Sequence, residues 1–166
     1  MGRGYTQYAF PDTDAEDVYA LYSAFLNYRL ATGDLLHVRQ TECWCSTCER
    51  IDMAERVESL DELQSELERL RQPNDDESRM IAFIGVPIEK RIAEMELRIK
   101  WRRDRISSPK CLHCGSTDIT RIPDADEFRH PKTGERVVVA GSGFVSTAEW
   151  HAEFTPEGDV ISSIQK

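Results

Sequence analysis

The apolar positions fall into stretches of different period. Residues 5–10 are short, aromatic and extended in character, and Pro11-Asp12-Thr13-Asp14 closes them, which predicts a first strand. From Asp14 to about Ala31 the apolar residues Val18, Leu21, Tyr22, Phe25, Leu26 and Leu30 recur three and four apart, with acids in the first turn and Gly33 just past the end. That spacing predicts an amphipathic helix near the N-terminus. Its aromatic residues Tyr19, Tyr22, Phe25 and Tyr28 are read as core packing in preference to a ligand pocket.

Residues 35–42 read as a strand or an extended approach to Cys43. Beyond Cys48 the period changes, and Val57, Leu60, Leu63, Leu67 and Leu70 form a narrow seam that predicts a helix over 53–71. A second seam, Ile88, Ile92, Met95, Ile99 and Ile106, starts behind Pro87, a residue suited to a first helical turn. Together the seams predict an antiparallel helical hairpin inserted over 49–110, broken at Pro73-Asn74-Asp75-Asp76. Residues 49–79 carry eleven acids and five bases, whereas 89–110 carry four acids and eight bases, so the flanks of the two helices have opposite sign. Residues 80–86 form an apolar patch too short to span a membrane, which could cap the hairpin or extend either helix.

After Cys114 the period shortens to two. Strands are predicted over 119–122, 127–130, 136–140, 144–154 and 160–164, separated by turn chemistry at Pro123-Asp124, Pro131-Lys132-Thr133-Gly134, Gly141-Ser142-Gly143 and Thr155-Pro156-Glu157-Gly158. The expected arrangement over 111–166 is an antiparallel meander with one wet face. The fold class that follows is α+β: a small antiparallel sheet, an N-terminal helix and an inserted helical hairpin in one domain spanning 1–166.

Composition narrows the class. At 166 residues, 40% hydrophobic and 31% charged, the chain is long enough to bury a core and too apolar for disorder. No apolar run approaches eighteen residues and the first residues lack the apolar core of a signal peptide, so a cytoplasmic protein with no membrane contact is expected. A net charge of −9 opposes general nucleic-acid binding, which depends on Lys and Arg neutralising phosphates.

The candidate chemistry lies in five cysteines. Cys45-Ser46-Thr47-Cys48 and Cys111-Leu112-His113-Cys114 each place two thiols three positions apart, so that both can face one metal, and two such turns complete the four-sulfur shell that Zn²⁺ prefers. Gly115 supplies the positive-φ tolerance such a turn often needs after its second cysteine, whereas Glu49 does not. Cys43 could replace Cys45 as a ligand, be a spare thiol or be a small buried side chain; the two-residue gap favours Cys45. A dithiol redox centre needs only one such pair, so two pairs favour structural metal.

With its Cys-Leu-His-Cys-Gly-Ser stretch, the second turn resembles a zinc-ribbon knuckle, and the first matches it in cysteine spacing. The resemblance implies a structural Zn²⁺ on Cys45, Cys48, Cys111 and Cys114 between short antiparallel strands. It carries no activity, because the ribbon serves transcription factors, enzymes and adaptors alike.

Other candidates are weaker. His151 shares a strand face with Glu149 and Glu153, which is also what a solvated strand face looks like. Gly141-Ser142-Gly143 lacks the Lys-Ser/Thr ending of a phosphate loop. The run Lys100-Trp101-Arg102-Arg103-Asp104-Arg105 offers phosphate contacts and a stacking ring, although a helix facing an acidic partner needs such bases anyway. The leading expectation is therefore a non-catalytic, zinc-stabilised module that binds a protein, in its sharpest form an acidic inhibitor or immunity-like protein covering a basic partner. The hairpin would offer a partner surface or dimer seam. The alternatives are a nucleic-acid-binding regulator using Lys100, Trp101, Arg102, Arg103 and Arg105, and a thiol redox protein.

Overall fold

A computed structural model describes residues 2–74 and 85–165. The chain order is β1 (Gly2–Ala9), β2 (Val18–Leu21), β3 (Phe25–Arg29), β4 (Leu35–His37), β5 (Gln40–Cys45), β6 (Arg50–Glu55), α1 (Leu60–Arg71), α2 (Ile88–Asp104), β7 (Ile119–Arg121), β8 (Glu127–Arg129), β9 (Arg136–Ser146), β10 (Trp150–Phe154) and β11 (Val160–Gln165). The strands build three sheets, ordered β2-β1-β9-β8, β11-β10-β3-β4 and β6-β5-β7. Their inner faces meet in one core, which includes Tyr8, Leu26, Tyr28, Leu36, Trp44, Ile51, Val137 and Phe154 and takes in Trp101 from α2.

The described residues are mostly β, which corrects the expected fold class. The predicted N-terminal helix over 14–31 is two strands in different sheets. Along Phe25–Arg29 burial alternates, with Leu26 and Tyr28 buried and Phe25 and Arg29 exposed. A helical face would have buried Phe25 together with Leu21. Tyr, Phe and Val suit a pleated surface, and the decisive partners are remote: β2 pairs with β1, and β3 runs parallel to β10.

The expected helical hairpin over 49–110 is also corrected. Its first residues form β6, which pairs with β5 from Gln40↔Glu55 to Cys45↔Arg50. The turn at Cys48 needs this returning strand, and the seam reading ran through it. Helix α1 starts only after Ser59, whose hydroxyl accepts from the Glu62 amide while the Glu62 carboxylate accepts from the Ser59 amide. Both helices lie mid-chain and bury Leu63, Leu67, Leu70, Met95 and Ile99 against each other. The pair is docked on the sheets: Arg98 donates to the His37 carbonyl at 2.7 Å and Arg39 holds Glu66 at 2.8 Å. Val57 packs on the main core instead, and Ile106 is 93% exposed beyond the helix end. Of the apolar patch at 80–86, residues 80–84 lie outside the described residues.

The antiparallel meander expected over 111–166 is distributed among all three sheets. Alternation along a strand tells which side chains share a face, and it is silent on which strand lies alongside. The predicted strand over 144–154 is interrupted at 147–149, where the chain leaves the first sheet for the second. The turn predicted at Gly141-Ser142-Gly143 lies inside β9, opposite Gln7, Thr6 and Tyr5, next to a shift of register. A Cβ at Gly143 would come 3.3 Å from the Tyr5 hydroxyl, so any larger residue there would have to displace the Tyr5 ring by a few tenths of an ångström.

Candidate metal centre

Two neighbouring turns bring four sulfurs together. Cys45 ends β5 and Cys48 lies in the turn into β6, while Cys111 bridges to Ala54 of β6 and Cys114 follows in its own turn. The second turn is closed by the Cys111 amide donating to the Ser116 carbonyl at 2.8 Å, and the two turns are tied to each other by the Ser46 amide on the Asp118 carbonyl at 3.0 Å and by Thr47 Oγ1 on Ser116 Oγ at 2.8 Å. Gly115 takes φ +74° after the second pair, and its amide closes the turn onto the Cys111 carbonyl at 2.8 Å. Glu49 takes φ +53° at the equivalent place after the first pair, so the two turns share a backbone shape although only one has glycine.

All four ligand atoms lie within 4.8 Å of one another. Cys45 Sγ and Cys114 Sγ are 3.6 Å apart, and Cys48 Sγ and Cys111 Sγ 3.9 Å. A tetrahedron with metal–sulfur bonds of about 2.3 Å has edges of roughly 3.8 Å, so this set fits a metal of that size. The environment has the same need. Burial raises the Cys45 and Cys48 thiols above their ordinary value, so neutral thiols are favoured until a cation offsets the charge. Cys45 receives some support from the fold, its Sγ accepting from the Cys48 amide at 3.5 Å.

Cys43 stands outside the four. Two positions before Cys45 on β5, it is fully buried in a cluster with Cys45, Ala54 and Cys111. The proximity of Cys111 and burial push the Cys43 thiol up, while Cys43 and the amides of Cys114 and His113 hold the Cys111 thiol down. Cys43 therefore lies beside the cluster of four without being one of its members.

The histidines and the basic run do not converge on a site. His113 is exposed and the buried His130 accepts at Nδ1 from the Lys132 and Thr133 amides, both at 3.2 Å. His151 stacks on Phe25 with centroids 4.2 Å apart and lies 3.5 Å from Glu149, but Glu153 is held by Arg29. The basic run is divided: Lys100 and Arg103 are exposed, Arg102 donates to the Glu58 carbonyl at 2.9 Å, and Trp101 and Arg105 are buried. Trp101 donates to the Pro156 carbonyl at 2.9 Å, and its buried ring is taken up by Tyr28, stacked 4.7 Å away, and by Arg105, 5.2 Å from its centroid.

Sequence reasoning missed the support behind the cysteines. Glu55, at the end of β6, accepts from Arg105 at 2.6 Å, from Tyr28 at 2.8 Å and from the Lys110 amide at 2.8 Å. The Glu55 and Arg105 side chains are 1% and 0% exposed. This network fixes the residue just before Cys111, linking α2 to the second turn. Nothing local in the sequence marks Glu55, because its partners lie 27, 50 and 55 positions away.

No family model matches the chain, and no curated protein or solved structure matches it either. Among the described residues no helix is long and apolar enough to cross a membrane.

Proposed function

We propose that the chain is a non-catalytic protein-binding scaffold whose fold is locked by one structural Zn²⁺ in a ribbon-like β5–β6–β7 unit. The observation that carries this reading is the sulfur tetrahedron itself. Four cysteine sulfurs fill the coordination shell that Zn²⁺ prefers, whereas catalytic zinc keeps a position open for water or substrate. Thiolates in such numbers suit a reducing, cytoplasmic compartment. The finer reading, an acidic protein covering a basic partner, rests on the net charge of −9. Burial of Trp101 and Arg105 weighs against the nucleic-acid alternative.

The test is direct. Purified protein is expected to hold one zinc per chain and to show no steeply salt-dependent affinity for single- or double-stranded DNA or RNA. Tight nucleic-acid binding at about 0.15 M salt, lost on replacing the exposed Lys100 and Arg103 by Ala, would replace this reading with the regulator.

A further inference from the structure

Away from the cysteine shell, a cleft of about 730 Å³ opens where all three sheets and the second cysteine turn meet. β1 and β2 of the first sheet contribute Arg3 and Tyr19, β6 of the third contributes Arg50 and Asp52, β10 of the second contributes Trp150, and the cysteine turn contributes His113. The volume falls within the roughly 300–1,000 Å³ of small-molecule sites.

Its hydrogen-bond donors are held in place by the fold. Arg3 donates through Nε and Nη2 to the carbonyls of Tyr22 and Leu21, at 3.2 and 2.8 Å, and among the described residues its Nη1 has no partner. Arg50 is fixed in the same manner, with Nε and Nη2 on Asp52 Oδ2 at 2.8 and 2.5 Å, and its Nη1 is likewise left over. Arg3 bonds only carbonyls, and burial lowers its pKa from the ordinary value in spite of the charge on Asp52, so an added anion would favour its charged form. The exposed His113 ring has no hydrogen-bond partner among the described residues. The carboxylates that line the cleft are already engaged: Asp52 also accepts from the Met53 amide at 2.8 Å, and Asp17 accepts from Gln7 at 2.5 Å. Two arginines against two aspartates leave the cleft neutral in a chain of net charge −9.

One wall is aromatic. Trp150 donates from Nε1 to Ser163 Oγ at 2.7 Å and meets Phe154 edge-on, which fixes the plane of its ring. Tyr19, braced edge-on by Tyr5, is 52% exposed.

We propose that this cleft binds a small phosphate monoester carrying a flat ring, with the phosphate on Arg3, Arg50 and His113 and the ring on Trp150. Donors from three separate elements suit a tetrahedral anion with three terminal oxygens, whereas a planar carboxylate is satisfied by a single arginine fork. Phosphate alone would leave the aromatic wall uncovered, and a ring covers it. A nucleoside monophosphate and an aryl phosphate share this chemistry and differ in whether a ribose separates ring from phosphate. The inference goes beyond the protein-binding reading and does not rest on it.

An NMR titration of the isotope-labelled, metal-loaded full chain with adenosine monophosphate, phenyl phosphate, adenosine and inorganic phosphate tests this. At least one of the two esters is expected to bind with Kd of about 10–500 µM and to move the Trp150 indole signal, and the tighter ester identifies the source. Adenosine and inorganic phosphate, each carrying half of the chemistry, should bind at least about tenfold more weakly. Arg3→Gln should weaken ester binding at least about tenfold. Because Arg3 also ties β1 to the end of β2, the exposed His113→Ala serves as a second variant, expected to weaken binding about threefold or more while the metal stays bound. The proposal is overturned if neither ester binds up to about 5 mM, if adenosine or inorganic phosphate binds as tightly as the esters, or if both variants bind like wild type.

Discussion

Glu49 and Gly115 occupy equivalent places in the two cysteine turns, and only one of them is free of a Cβ penalty. Positive φ costs an L-residue roughly 1–2 kcal/mol, so Gly115→Ala should lose about 1 kcal/mol in denaturant unfolding. Glu49→Gly should raise the unfolding midpoint at unchanged metal stoichiometry; a lower midpoint would show that its contact with Lys132 outweighs the backbone strain. Arg105 poses a different problem, because removing it leaves Glu55 buried and uncompensated. Arg105→Ala should cost about 3–5 kcal/mol. Gly158 sits against the same carboxylate, where a Cβ would fall 2.4 Å from Glu55 Oε1. A cost below about 1 kcal/mol for Arg105→Ala would mean that water replaces the guanidinium and that the network does not support Cys111.

At the scale of elements, the two helices are joined to the sheets through charge as well as apolar contact. Arg39 next to Glu66 of α1 holds that carboxyl below its ordinary value. A depressed carboxylate adds stability that is present above the ordinary value near 4.5 and is lost as pH falls through the lower folded value. Glu66→Gln should therefore be less stable than wild type near pH 7, by less than about 1 kcal/mol because the pair is partly exposed, and the two should converge in acid. A gap that persists at low pH would assign the loss to packing. The helical seams were legible because their information is local: Leu63, Leu67 and Leu70 recur on one face, and Pro87 marks a start, whereas the first helix was expected from 53 and its cap at Ser59 went unread. The strands after Cys114 were legible as strands for the same reason. What could not be read was pairing. β3 owes its existence to β10, more than a hundred residues away, and the spacing of Val18, Leu21, Phe25 and Leu26 satisfied a helical period by coincidence of residues that face different sheets.

For the molecule as a whole, the four-cysteine cluster was the most legible feature, since two short spacings specify it, while the Glu55 network behind it depends on contacts no spacing reveals. The centre joins β5–β6 to the turn after α2, with Cys48 and Cys111 separated by 63 positions. A metal that closes so long a loop contributes its binding energy to folding. Cys43 lies behind the shell and outside it, so it separates ligation from mere cysteine content. The most direct test is metal stoichiometry by native mass spectrometry, with far-ultraviolet circular dichroism on the same samples, for wild type, Cys43→Ser and Cys114→Ser. One zinc is expected in wild type and in Cys43→Ser, and none in Cys114→Ser, which should also lose much of its folded signal. Full zinc in Cys114→Ser, or its loss from Cys43→Ser, would contradict the assignment of Cys45, Cys48, Cys111 and Cys114 as the shell.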